Sequence, residues 1–205
     1  MKLKVCGLSK PIEVETCVNN DVSFCGFILN YPKSHRYISY EKANELLSIN
    51  KNKTQYVGVL VKPSLEEIVN YSKLNLDYFQ LYGHYDNKSL IEIKKKSQKK
   101  IITTVQVKNK DDIETYKIVE EESDIILWDS TGYEKSLSWN HGWIKDIKIK
   151  GEKMIAGNIT KDRLNDLSKL ADIVDVSGAL ETNKVKDIKK IKDFMMQIKK
   201  INNEN

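Results

Sequence analysis

The 205-residue chain has only two arginines, Arg36 and Arg163, among its 34 basic residues, and only three cysteines and three histidines. Each scarcity removes a class of function. A nucleic-acid reader ordinarily supports its basic face with clustered arginines and stacking aromatics. The net charge of +5 instead sits mostly in lysine runs such as Lys94-Lys95-Lys96 and Lys99-Lys100, which read as solvated helix faces. The mild positive field they create suits a small phosphate-bearing substrate. Cys6, Cys17 and Cys25 are odd in number and form no Cys-x-x-Cys pair, so free thiols in a reducing compartment are expected. His35, His84 and His141 share no ligand spacing, and no metal site is expected. No apolar stretch approaches the ~20 residues of a membrane helix, and Met1-Lys2-Leu3-Lys4 leads directly into a strand. The expectation is a soluble, cytoplasmic protein with neither a membrane nor a nucleic acid as partner.

No low-complexity linker divides the chain, so one domain is expected over 1–205, with a frayed tail at 200–205. The apolar fraction of 40% and charged fraction of 31% fit a globular protein. Short apolar runs rich in β-branched and aromatic residues recur at 2–6, 23–29, 56–61, 77–82, 101–107, 124–129, 153–156 and 173–177. Amphipathic stretches at 11–19, 40–49, 64–74, 88–98, 111–121, 140–147, 160–169 and 185–200 lie between them. Such alternation implies a parallel sheet covered on both faces, and eight repeats favour a closed (β/α)8 TIM barrel. Ser9 with Pro11, Ser64 after Pro63, and Thr160 with Asp162 supply helix-start signals.

In such a barrel all strand carboxyl ends converge on one face, where the chemistry is done. Cys6 ends the first strand just before Gly7, and Asp129 ends the sixth, so a thiol and a carboxylate about 120 residues apart face one pocket. A carboxylate beside Leu127 and Trp128 is expected to have a raised pKa and to donate a proton near neutrality. A thiolate at Cys6 would serve as a base. Arg36, on the long loop after the second strand, has the planar fork that pairs with a substrate carboxylate. Gly157-Asn158 and Gly178-Ala179 follow strands 7 and 8, where barrels hold phosphate on backbone N–H groups. Cys17 and Cys25 are assigned to the core.

These residues sit within longer motifs. Lys4-Val5-Cys6-Gly7-Leu8-Ser9 and Gly26-Phe27-Ile28 with Tyr31-Pro32-Lys33-Ser34-His35-Arg36-Tyr37-Ile38-Ser39 resemble the signatures of the phosphoribosylanthranilate isomerase family. Phe79-Gln80-Leu81 and Val174-Asp175-Val176-Ser177 are similar too, so the resemblance runs along essentially the whole chain. It implies Cys6 as general base, Asp129 as general acid, Arg36 at the anthranilate end, and backbone groups of Gly157, Asn158, Gly178 and Ala179 around the phosphate. Gln80, Tyr82, Asp175 and Ser177 are implied as further substrate contacts. It also implies an Amadori rearrangement of a small phosphoribosyl substrate in tryptophan biosynthesis, with no cofactor, by a monomer or homodimer. Departures from the family pattern are Tyr82 where it carries histidine, Asn158 and Ala179 where it carries glycine, and a shorter, glycine-poor stretch Ser130–Lys135 where it has a mobile loop. Those altered loops motivate another reading, a catalytically degenerate phosphate-binding scaffold, and a related phosphosugar barrel enzyme is a further one. Retention of Cys6, Asp129 and Arg36 weighs against both.

Overall fold

The computed structural model describes residues 1–130 and 138–204. Eight parallel strands close into a barrel: β1 Lys2–Cys6, β2 Phe24–Ile28, β3 Gln55–Val61, β4 Tyr78–Tyr82, β5 Lys100–Val107, β6 Ile125–Ser130, β7 Glu152–Ile155 and β8 Ile173–Val176. Closure is direct, with Lys2 to Val5 of β1 in register with Ile173 to Val176 of β8. The strands read as apolar runs because each is buried on both faces. Alternate residues serve two cores. Leu3, Val5, Cys25, Phe27, Phe79, Leu81, Ile126, Trp128 and Val174 pack outward beneath the helices. Phe24, Val57, Tyr78, Ile102, Ile125, Leu127, Met154 and Ile173 fill the barrel interior. Cys17 and Cys25 are fully buried, as expected.

The connections match expectation in the first half of the barrel and depart from it in the second. Helices α1 Pro11–Asn19, α2 Tyr40–Leu47, α3 Leu65–Tyr71 and α4 Asn87–Ser97 follow the first four strands. Ser64 caps α3 as read, its Oγ accepting from the Glu67 amide at 3.1 Å while Glu67 accepts from the Ser64 amide at 2.8 Å. At α1, however, Ser9 is not the cap. Buried Glu13 folds back and accepts from the amides of both Ser9 and Lys10, at 2.8 and 3.1 Å. Thr160 likewise makes no side-chain cap.

After β5 the expected helix 111–121 is a 3-10 segment, Asp111–Ile118, with a second turn at Glu120–Glu122. Its buried residues Ile113, Tyr116 and Val119 recur every third position, the period of a 3-10 helix rather than an α-helix. The stretch 140–147 is reduced to a 3-10 turn, His141–Ile144. The stretch 160–169 holds a 3-10 turn, Lys161–Arg163, followed by the short α5, Leu164–Leu167.

The final helix, α6, spans Ile188–Glu204 rather than starting at 185. A small antiparallel hairpin precedes it, β9 Glu181–Thr182 with β10 Val185–Lys186. Its turn residues Asn183 and Lys184 both adopt positive φ (51° and 64°), as a two-residue hairpin turn of the primed type requires. The tail expected to fray is helical through Glu204. Ile201 is only 2% exposed, and Asn202 exchanges hydrogen bonds with the amino terminus and carbonyl of Met1. Asn205 lies outside the described residues. Because the last turn packs on the barrel, Ile201→Ala is predicted to destabilise the fold by about 2–4 kcal/mol in urea denaturation. A change below about 0.5 kcal/mol, normal for surface positions, would contradict this packing.

Candidate active site

Strand parity decides which side chains meet at the barrel mouth. The interior positions Ile125 and Leu127 are followed on the same face by Asp129, and Tyr78 by Gln80 and Tyr82. Ile173 is followed by Asp175, and Lys4 by Cys6, because alternate residues share one face of a strand. The carboxyl ends of the strands enclose a cavity of about 410 Å³ lined by Cys6, Arg36, Tyr82, Asp129, Asp175 and Ser177 among others. Its wall continues through the loops after β7 and β8.

Asp129 is held by two donors. Tyr82 Oη donates to Oδ2 at 2.7 Å, and the Ser130 amide donates to Oδ1 at 2.7 Å. Burial pushes the carboxyl up, the Tyr82 hydrogen bond opposes that rise, and Asp175 adds to it, giving a pKa of about 6. The sequence expectation of a raised acid is met. Tyr82 is thus a partner of the acid, and burial against that carboxylate keeps its own phenol well above its ordinary pKa. Gln80, expected to touch substrate, lies one layer lower. It is fully buried, is not part of the cavity wall, and donates from Nε2 to Tyr82 Oη at 3.2 Å. It supports the support of the acid.

Cys6 sits opposite Gly26 across the β1–β2 ladder. A Cβ on Gly26 would lie 3.0 Å from Cys6 Sγ and 3.1 Å from Lys4 Nζ, so glycine makes the room in which thiol and ammonium share the interior. Lys4 pairs with Asp175 Oδ2 at 2.8 Å, directly across the β1–β8 ladder. Burial raises the pKa of the Cys6 thiol and Asp175 adds to the rise, while Lys4 and, more weakly, Lys186 oppose it; the net shift is upward. Gly7 turns the chain out of β1 at φ +82°. A side chain there would collide with Arg36, whose Cδ would be 2.3 Å from its Cβ. The Cys-Gly pair is therefore the means by which the arginine crosses the end of the first strand.

Arg36 does not reach the cavity as a free cation. Its Nε and Nη2 form a two-pronged pair with Glu181 at 2.6 and 2.9 Å, while Nη1 makes no hydrogen bond among the described residues. Glu181 also accepts from Lys186 and lies 3.3 Å from His35 Nε2. Although burial opposes ionisation, Arg36 and Lys186 hold Glu181 down at about 2. Neither Glu181 nor Lys186 was singled out from sequence. A carboxylate at the base of the hairpin gave no signal of its own until the fold placed it beside Arg36.

The expected anion-binding loops line the cavity together: Gly157 and Asn158 after β7, and Ser177, Gly178 and Ala179 after β8. Gly157 and Asn158 take φ of +93° and +50°, a geometry asparagine tolerates better than most residues. The turn Gly178–Leu180 begins here, so its first amides have no partner within the turn. Ser177 Oγ donates to the Cys6 carbonyl at 2.9 Å, tying the loop to the end of β1. Beneath the first loop, the Ala156 carbonyl lies 2.9 Å from the Trp139 indole nitrogen, which donates to it, and 3.1 Å from His141 Nε2. Arg163 Nη2 approaches His141 Nδ1 at 3.1 Å, and burial lowers the histidine pKa, favouring the neutral ring. The structure therefore brings Cys6, Asp129, Arg36, Tyr82, Gly157, Asn158, Asp175, Ser177, Gly178 and Ala179 to one cavity and leaves Gln80 out. Of the altered stretch 130–135, residues 131–135 lie outside the described residues.

Residues 3–197 match the family described as N-(5'phosphoribosyl)anthranilate (PRA) isomerase. N-(5'-phosphoribosyl)anthranilate isomerase of Streptococcus mutans is 32% identical, the alignment covering 97% of this chain and 99% of that protein. Phosphoribosyl anthranilate isomerase of Thermotoga maritima is 26% identical, superposing with a TM-score of 0.85 over 98% of this chain and 99% of that one. A further phosphoribosyl anthranilate isomerase structure contains reduced 1-(o-carboxyphenylamino)-1-deoxyribulose 5-phosphate. It is also 26% identical, with a TM-score of 0.81 over 98% of this chain and 99% of that one. Through its barrel, its strand-end motifs and these matches along nearly its full length, the chain belongs to the N-(5'-phosphoribosyl)anthranilate isomerase family.

Proposed function

We propose that the chain converts N-(5'-phosphoribosyl)anthranilate to 1-(2-carboxyphenylamino)-1-deoxyribulose 5-phosphate, the isomerisation step of tryptophan biosynthesis, with Asp129 as general acid and Cys6 as general base. The observation that carries the reading is a carboxyl of pKa about 6 and a thiol on the walls of one cavity, which phosphate-suited loops and Arg36 also line. Asp129 gives its proton to the ring oxygen as the C1'–O bond breaks, and the amine lone pair closes a protonated C1'=N bond. Cys6 thiolate then takes the C2' proton. The electrons of that C–H bond form C1'=C2' and neutralise the nitrogen, giving an enolamine that tautomerises to the ketone product. Backbone N–H groups at Gly157, Asn158, Gly178 and Ala179 hold the phosphate. Nη1 of Arg36, its other two prongs fixed by Glu181, meets the anthranilate carboxylate. Asp175, with Oδ1 buried and unpartnered among the described residues, accepts from a substrate hydroxyl. No helix among the described residues is long and apolar enough to cross a membrane; a cytoplasmic monomer or homodimer acting on a small phosphoribosyl substrate fits the reading.

Each positioned proton-transfer group typically contributes about 10²–10⁴-fold in rate. Cys6→Ala and Asp129→Ala are each predicted to lower turnover by at least that factor, read as loss of the fluorescence decay of freshly made substrate, with the far-UV spectrum unchanged. Activity within tenfold of the parent in either variant contradicts the assigned role. A flat trace from well-folded parent protein favours a binding scaffold.

The pKa order also sets the pH profile. The resting pair is thiol plus carboxylate, whereas the reacting pair is thiolate plus carboxylic acid. The reacting form has a constant, small population between the two pKa values and falls off outside them, so the acid limb of kcat/KM follows Asp129, near pH 6. The Tyr82 hydrogen bond favours the ionised carboxylate, so removing it raises the Asp129 pKa. Tyr82→Phe is predicted to move the acid limb up by on the order of one pH unit; an unmoved limb contradicts the coupling.

A further inference from the structure

Lys4 is a fully buried lysine that the mechanism does not use. It points into the barrel on the same face of β1 as Cys6, two residues away. Its Nζ and the Cys6 Sγ lie 3.1 and 3.0 Å from one point, the place a Gly26 Cβ would occupy. A buried ammonium is costly unless paired, and Asp175 at 2.8 Å supplies that partner. A barrel interior built only for packing has no need of either charge, since the neighbouring interior positions are Phe24, Ile102, Leu127 and Met154.

We propose that Lys4 is a positioning residue for the isomerisation: its ammonium, fixed by Asp175 beneath the cavity, stabilises the thiolate of Cys6 without touching substrate. The role rests on Cys6 acting as the base. The other charged or titratable groups facing the thiol are Asp175 from β8, Lys186 from β10, Arg36 from the loop after β2 and Tyr82 from β4. Of the cations, Lys4 exerts the largest effect on Cys6, against the upward push of burial and of Asp175. The influence is mutual. Burial lowers the Lys4 pKa, but Asp175 and the Cys6 thiolate more than offset it, so Lys4 remains charged across the working pH range.

The test uses the full chain with Cys17→Ala and Cys25→Ala, so that Cys6 is the only thiol, and follows the rate of iodoacetamide alkylation against pH. An opposite charge within reach shifts a pKa by about 1–3 units. Lys4→Met is therefore predicted to move the alkylation midpoint up by at least about one pH unit. In the all-cysteine enzyme the same substitution is predicted to move the alkaline limb of kcat/KM upward and to lower its plateau about tenfold per unit of that shift. A structural role alone would lower activity or stability and leave the alkylation midpoint unmoved, and that result overturns the proposal. Should Lys4→Met fail to fold, Lys4→Met/Asp175→Asn is compared with Asp175→Asn alone, so that the two proteins differ only in the ammonium, and the alkylation midpoint is read as the difference between them. An upward midpoint supports the proposal and an unchanged one overturns it. The alkylation readout does not depend on turnover. If Cys6→Ala keeps its activity while Lys4→Met moves the thiol, the base assignment fails and the charge coupling stands.

Discussion

Lys4 and Asp175 meet at 2.8 Å inside a closed barrel, and the arrangement of the site depends on that contact. Either charge alone would face a desolvation penalty of several kcal/mol. Together they form a fixed dipole at the cavity floor, with Asp175 on its surface and the ammonium beneath, beside Cys6. Asp175, in turn, raises the Asp129 carboxyl. A second ion pair, Arg36 with Glu181, repeats the device at the rim, where Lys186 adds another cation. The site is thus a set of paired charges in which each group proposed to move a proton sits near a fixed charge.

Burial raises both groups proposed for proton transfer, and pairing opposes that rise at each. Asp129 is raised far enough for its acid form to exist near neutrality, restrained by the hydrogen bond from Tyr82. Cys6 is raised too, restrained by Lys4. These restraints tune how much of the reactive pair, thiolate with carboxylic acid, is present at any pH. Gln80, by donating to Tyr82, belongs to the same system one layer deeper.

Most of the fold was legible because parallel-barrel strands are apolar on both faces, and all eight were found within a residue or two of their true ends. Their positions at strand ends also put Asp129 and Cys6 on the wall of one cavity. The helices of the second half were less legible. At 111–121 the apolar positions follow a three-residue repeat, which an amphipathic-helix reading blurs into an α-helix. The tail at 200–204 looked polar in sequence, yet Ile201 packs on the barrel and Asn202 bonds to Met1 across the whole chain length. Within the site, Cys6, Asp129 and Arg36 announced themselves by strand-end position or by rarity of residue type. Lys4 and Glu181 did not. One lysine among many and one glutamate in a hairpin acquire meaning only when closure of the barrel sets β8 and its following loop against β1 and the loop after β2. Gln80 follows the same rule: its position along the strand was visible, but its depth below the cavity wall was not.

The most direct measurement is kcat/KM for conversion of N-(5'-phosphoribosyl)anthranilate from about pH 5 to about pH 10, followed by loss of substrate fluorescence. The account predicts turnover with a plateau bounded below by a limb near pH 6, the Asp129 value, and above by a limb higher than an ordinary thiol's. Absence of turnover, or a profile that is flat across pH 6, would contradict it.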